Sequence, residues 1–325
     1  MKLPPLRLER KLDSRIWGGD TLGAWLGLRD APPQLAESWQ VYEHNRVVGG
    51  PFGGRTLAEV TTEHGTALVG THSFKRYGAD FPLLAKFIDA AEDLSVQVHP
   101  DDAYAHRVEA ATGFHGKTEA WYILRAAPGV HLIHGLAAPS DRQRFATAVA
   151  DGTLMELLRR VPVAPGDAIF VPAGTVHAIS GGIMLFEIQQ KSDLTYRVYD
   201  YDRRDAQGKP RELHLARALD VIDYDAPPPA KVAPRAMGVV RTQLIKCPYF
   251  VMDRWHLLGP YGRTTRPTSF VILTAIDGAV RLEWGDGSLD LRRGESVVLP
   301  ASLGNYQVHP QPQATLLACY VPGGE

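Results

Sequence analysis

Short runs of apolar, β-branched and aromatic residues, bounded by Gly, Pro or Asp, recur along almost the whole chain. This is the pattern of strands rather than of long helices. In the first two-thirds it predicts strands over 36–44 (AESWQVYEH), 81–90 (FPLLAKFIDA), 94–99 (LSVQVH), 119–126 (EAWYILRA), 130–136 (VHLIHGL), 167–173 (DAIFVPA) and 184–190 (MLFEIQQ). Helical spacing of apolar positions appears at three places. One is 102–111, with Asp101 or Asp102 as N-cap. Another is 140–160, around an Asp-Gly break, and the third is 212–222. Strand-like runs return after a proline-rich stretch, DAPPPAKVAP (225–234), which reads as a spacer.

The chain also repeats itself. APGDAIFVPAGTVH (164–177) is similar to RRGESVVLPASLGN (292–305), with Gly166 on Gly294 and Pro172 on Pro300. Upstream, 122–133 is similar to 271–282, with Gly129 on Gly278. The two offsets differ by about the length of the helical stretch 140–160, which predicts an insertion in the first copy only. Strand, Gly-acid turn, strand, then Pro and a polar residue is how a cupin-type jelly roll reads. The expectation is a mainly β protein of two cupin-type jelly-roll β-barrel units. Residues 1–225 would form the first unit with its helical insertion, 226–237 a linker, and 238–325 a degenerate second unit. In this alignment His177 becomes Asn305 and Glu119 becomes Thr268, so the second copy lacks the chemistry of the first.

Four polar residues interrupt the apolar runs of the first copy: Gln97, His99, Glu119 and His177. A polar side chain in such a run is costly unless it has a partner. Two imidazoles, a carboxylate and an amide oxygen suit one divalent metal and leave a position open, as a catalytic zinc site does. Fe²⁺, Mn²⁺ or Co²⁺ would accept the same donors. Gln97 and His99 are two apart on a strand and share a face. Any one of the four is more often a hydrogen-bonded core or surface residue; together they point to one Zn²⁺ per chain. His131 and His134, three apart, face opposite sides of their strand, and His115 is kept only for its closeness to Glu119.

Charged residues cluster in the same region. Arg197, in KSDLTYRVYDYDRR (191–204), offers a planar fork of donors for an oxyanion or phosphate. Asp193, four residues earlier, is placed to pair with it. Lys117 precedes Glu119 by two. Lys86 is a cation inside an apolar strand, and Ser95 shares a face with Gln97. Arg203, Arg204 and Asp205 read as a solvated turn.

Composition narrows the field. Net charge is −1 over 325 residues, which gives no global field for nucleic acid. No apolar run reaches the ~20 residues of a membrane span. Two distant cysteines argue against a disulfide scaffold, and the charged, proline-broken N-terminus is no signal peptide, so a cytoplasmic protein, monomer or homodimer, is expected.

Several pieces, in order over most of 15–220, resemble the type I mannose-6-phosphate isomerases in their short bacterial form. They are RIWGG (15–19), ESW (37–39), the 81–102 stretch ending in QVHPDD, GKTEAWYIL, PAGTVHAI, and EIQQKSDLTYRVYDYDR followed by GKPRELH. The resemblance implies metal ligands at Gln97, His99, Glu119 and His177. It implies an active-site arginine at Arg197 with partners Asp193 and Lys117, and phosphate-side residues at Lys86 and Ser95. The histidine that longer members carry before the lysine is here Gly116. The implied reaction interconverts mannose 6-phosphate and fructose 6-phosphate through a cis-enediolate. Asp193, Lys117 or a coordinated water would be its base. Another metal-dependent cupin enzyme acting on a different sugar and a non-catalytic sugar-binding cupin are the alternatives.

Overall fold

The computed structural model describes residues 2–204, 208–225, 229–285 and 287–323. Asp205 and residues 226–228 of the expected spacer lie outside them. The strands form three sheets among the described residues. A six-stranded sheet runs in the order Lys11–Gly19, Leu35–Val41, Leu83–Ala90, Ile183–Gln190, Glu119–Ala126, Ala168–Val171. A five-stranded sheet runs Tyr196–Tyr199, Val96–Val98, His177–Ile179, His131–Leu136, Leu158–Pro162. Apolar side chains from both, including Ile88, Trp121, Leu185, Leu132 and Ile179, meet in one buried cluster. The two sheets are thus the halves of the first jelly-roll unit. The third sheet holds the C-terminal strands.

The expected strands form, with ends shifted by a few residues. The three expected helical stretches also form. Asp101 caps Asp102–Val108, accepting from the Tyr104 amide at 2.8 Å. The 140–160 stretch breaks at Asp151-Gly152 into Arg142–Ala150 and Leu154–Leu157, and its end is already the strand Leu158–Pro162. The third is Leu215–Val221. Helices over Leu57–His64, Thr66–Val69 and Thr71–Tyr77 were not anticipated. The first carries a readable signal, a capping box in which Thr56 and Glu59 satisfy each other's amides.

The sheet registers align the two copies residue by residue. In the first unit Trp39 pairs with Lys86, Lys86 with Glu187, Glu187 with Trp121, and Trp121 with Ile169. In the second, Gln243 pairs with Asp253, Asp253 with Ala318, Ala318 with Leu273, and Leu273 with Val297. Two register irregularities fall at matching places in both copies. One lies between Trp39 and Val41 and between Gln243 and Ile245. The other lies between Met184 and Leu185 and, on the strand equivalent to its partner, between Ala275 and Asp277. Bulges change strand direction and are built features. The alignment agrees with the Gly166–Gly294 match. It moves the other match by three residues, so Glu119 corresponds to Val271 and not to Thr268.

The expected division of the chain also changes. The strand Leu6–Arg7 pairs with Val298 and Val297 in the C-terminal sheet, so the first residues do not belong with the first unit alone. Residues of the expected linker are paired as well. Phe170 N donates to Ala230 O at 3.0 Å, and Val232 N to Ala168 O at 2.9 Å. One apolar cluster joins Leu83, Phe87 and Phe186 of the first unit to Met252, Ile272 and Leu317 of the second. Within it the Phe81 and Phe270 rings lie 4.5 Å apart, both fully buried. None of the described helices is long and apolar enough to cross a membrane.

Because the two units share that core, Phe270→Ala should cost about 3–5 kcal/mol, the usual loss for a truncated buried phenylalanine. Urea unfolding should show a single transition shifted for both units; two separate transitions would show that the core does not couple them.

Candidate metal centre

The site lies between the two sheets of the first unit. Gln97 and His177 are directly paired across neighbouring strands of the five-stranded sheet. His99 follows the same strand as Gln97, which Pro100 ends by withholding an amide proton. Glu119 opens a central strand of the six-stranded sheet, paired with Gln189 and Val171. His99, Glu119 and His177 are buried, and one ligand atom from each lies within 4.8 Å of the others. His177 Nε2 is 3.2 Å from Glu119 Oε1, and His99 Nε2 is 3.5 Å from Glu119 Oε2. Gln97 Nε2 is 3.3 Å from His177 Nε2. A half-turn of the amide exchanges its nitrogen and oxygen and brings the oxygen to the same side.

The orientation of the imidazoles is set from behind. His99 Nδ1–H donates to Leu194 O at 2.8 Å, and His177 Nδ1–H to Thr175 O at 2.9 Å. Each ring therefore turns an unprotonated Nε2 toward Glu119. Burial, with Lys117 and His177 nearby, holds the His99 pKa well below the usual value. Burial brings that of His177 down to about 4. Both rings are thus neutral, the form that ligates metal.

Lys117 is buried beside the cluster, its ammonium 3.0 Å from Glu119 Oε2 and 3.1 Å from His99 Nε2. Glu119 Oε2 nonetheless accepts no well-oriented hydrogen bond. A buried carboxylate oxygen in that condition, facing two lone pairs from imidazoles, is a donor set that fits a divalent cation.

Lys86 departs from expectation. Its ammonium is 3.4 Å from Glu37 and 3.4 Å from Glu187 and stands 5.5 Å from the centre of the Trp39 ring. Trp39 Nε1 donates to Glu37 at 2.5 Å, and Trp121 Nε1 to Glu187 at 2.8 Å. Burial works to lower the Lys86 pKa, but Glu187 and Glu37 overcome it and raise it. Burial and Glu119 push the Glu187 pKa up. Two carboxylates already answer this lysine, so it is no free cation for a phosphate. Glu37 and Glu187 were missed in the sequence, although Glu187 interrupts the apolar run MLFEIQQ (184–190) as the candidate ligands interrupt theirs.

Arg197 differs too. Its Nε donates to Ser95 Oγ at 3.3 Å and Nη1 to Glu212 O at 2.7 Å, with Asp193 absent from its partners. Ser95 Oγ is in turn 3.5 Å from Gln97 Oε1, which links Arg197 to the cluster. Burial and the neighbouring Arg211 lower the Arg197 pKa, and Arg15 and Arg203 add to the positive field. Asp200 binds both Arg203 and Arg211. Asp193 is exposed, forms no hydrogen bond or ion pair among the described residues, and acts at a distance on Tyr42 and Lys86. His115 lies apart from the cluster, between Asp80 at 3.0 Å and His106 at 3.1 Å.

Residues 6–122 match the family model for phosphomannose isomerase type I, catalytic domain, and residues 240–319 that for mannose-6-phosphate isomerase, cupin domain. The chain is 38% identical over 315 residues to the mannose-6-phosphate isomerase ManA of Bacillus subtilis, covering 95% of this chain and 96% of that protein. It is 36% identical over 308 residues to the mannose-6-phosphate isomerase of Streptococcus mutans, covering 93% and 94%. The solved mannose 6-phosphate isomerase of Bacillus subtilis superposes with a TM-score of 0.85 at 33% identity, over 98% of this chain and 99% of that one. A zinc-bound mannose 6-phosphate isomerase shares the fold, with a TM-score of 0.80 at 19% identity over 99% and 100% of the two chains.

His134, paired in register with His177, offers a pH test outside the cluster. It donates from Nε2 to Phe170 O at 2.8 Å, and burial lowers its pKa from 6.5 to about 4. As pH falls below 6.5 the unfolded chain takes up a proton that the folded chain refuses, so stability drops until about pH 4. The slope is about 1.4 kcal/mol per pH unit for this group. Urea midpoints measured across that window should fall, and His134→Asn should flatten the fall by about one proton; an unaltered slope in the variant would show that His134 is already charged.

Proposed function

The chain belongs to the type I mannose-6-phosphate isomerase family, and we propose from that premise how its own residues carry the reaction. The activity is aldose–ketose isomerisation, interconverting mannose 6-phosphate and fructose 6-phosphate, with zinc as cofactor. We assign the zinc to Gln97, His99, Glu119 and His177. The observation that carries this is the convergence of two neutral, back-bonded imidazoles on a buried carboxylate with an unsatisfied oxygen. When bound, zinc supplies a Lewis acid that polarises the sugar carbonyl.

The chain's residues supply the rest. Isomerisation removes the proton from C2 of the open-chain aldose and returns one to C1, with a proton passing from the C2 oxygen to the C1 oxygen. A base needs a lone pair free to accept. Of the two side-chain candidates, the Lys117 ammonium is engaged with Glu119 and His99, whereas the Asp193 carboxylate has no bonded partner among the described residues. Asp193 is therefore the side chain we assign as the base, with a coordinated water as the alternative. Arg197, tied through Ser95 to Gln97, is placed to stabilise negative charge on the enediolate oxygens. Arg15, Arg203 and Arg211 stand around it, and although Asp13 and Asp200 answer them in part, these four arginines outnumber those two carboxylates and draw the phosphate end. Lys86 holds Glu37 and Glu187 in place from between them. Two unpaired, buried thiols are compatible with a cytoplasmic setting.

Treatment with EDTA should abolish isomerase activity and zinc should restore it; activity that survives demetallation would remove the zinc role. With zinc content unchanged, Asp193→Asn should lower kcat by about 10²–10⁴-fold, the range for a lost general base. A kcat within a few-fold of the parent would exclude Asp193.

Lys86→Ala should lower kcat and stability, because it strands two buried carboxylates. The preference for mannose 6-phosphate over free mannose, read as the ratio of kcat/KM values, should stay within a few-fold. A collapse of that preference would return Lys86 to the phosphate.

A further inference from the structure

The C-terminal unit keeps a cavity of about 200 Å³ away from the metal cluster. It opens onto the face of the sheet that, by register, corresponds to the face carrying Glu37, Lys86 and Glu187 in the first unit. The charges there are reversed. Arg241 stands at the position of Glu37, Asp253 at that of Lys86, and Ala318 at that of Glu187. Arg241 Nε donates to Asp253 Oδ2 at 2.7 Å, and Nη2 to the Tyr320 hydroxyl at 2.9 Å. Arg263 and Arg266 also line the cavity, so among the described residues three arginines stand around one carboxylate. Such an excess around a small pocket favours an anion.

Two buried polar atoms point to more than an anion. Asp253 is 1% exposed and Trp255 2% exposed, and Asp253 Oδ1 and Trp255 Nε1 have no hydrogen-bond partner among the described residues. Unpaired buried groups of this kind cost about 1–3 kcal/mol each. A carboxylate oxygen accepts only, and an indole N–H donates only. A ligand hydroxyl meets both needs, since it donates to one group and accepts from another. The Trp255 and Tyr306 rings supply flat apolar surface beside these atoms. The volume lies below the ~300–1,000 Å³ of drug-sized sites, so the ligand is compact.

We propose that the C-terminal unit holds a second small-molecule site, for a compact phosphorylated sugar, bound by Arg263 and Arg266 at the phosphate and by Asp253 and Trp255 at the hydroxyls. The site is separate from the isomerase centre and does not depend on its mechanism. Its occupant is the enzyme's own substrate or product, or another hexose phosphate.

Calorimetric titration of the zinc-loaded full chain separates these cases. Mannose 6-phosphate, glucose 6-phosphate, inorganic phosphate and free mannose serve as probes. The expected result is two equivalents of a phosphorylated sugar per chain. In Arg263→Ala/Arg266→Ala one of them should weaken at least tenfold while isomerase turnover stays at the parental level. Trp255→Phe, which keeps the ring and removes the donor, should weaken the same equivalent several-fold if the double variant does not fold. One equivalent in the parent, or two undiminished equivalents in both variants, would overturn the proposal. Inorganic phosphate binding as tightly as the sugar phosphates would overturn its hydroxyl part. Absence of isomerase turnover in the parent with the second equivalent intact would count against the catalytic reading alone.

Discussion

The site depends on where two imidazole protons go. His99 and His177 each give their Nδ1 proton to a backbone carbonyl, Leu194 O and Thr175 O. Those two bonds decide which nitrogen is bare, and the burial of the rings keeps it bare. Everything else in the cluster is arranged around the consequence, two lone pairs and a carboxylate with little else to bind. The backbone that receives the protons belongs to loops held by the five-stranded sheet, so the sheet register and the chemistry are the same fact at two scales.

Much of this was legible in the sequence, for a physical reason. Gln97, His99, Glu119 and His177 stand out because each is polar within an apolar run, and the period of two fixes which face they share. The relation of Lys86 to Glu37 and Glu187 was not legible, because those partners arrive from strands far away in the chain and no local pattern says which polar residues will meet. The expected Asp193–Arg197 pair failed because Arg197 lies within the strand Tyr196–Tyr199 and reaches across to Ser95, next to the paired strand Val96–Val98, while Asp193 precedes its strand. The strand Leu6–Arg7 has only two residues, too few to carry an alternation, and its partner lies at the opposite end of the sequence.

The internal repeat shows how one scaffold supports two electrostatic designs. Matching bulges preserve strand geometry in both copies while the inward-facing charges change sign. In the first unit a lysine is held by two acids. In the second an aspartate is held by an arginine and a tyrosine hydroxyl. Backbone shape and buried charge are set by different positions, so either can change while the other is kept.

The pairing of Leu6–Arg7 with Val297–Val298 bears on how the protein is made. Ribosomal synthesis proceeds from the N-terminus, so Leu6–Arg7 emerges well before its partner Val297–Val298. Throughout translation that segment, with its buried leucines Leu3 and Leu6, is without its final neighbours. That sheet cannot be completed until Val297 and Val298 have been made, so a strand synthesised early waits for a partner synthesised late.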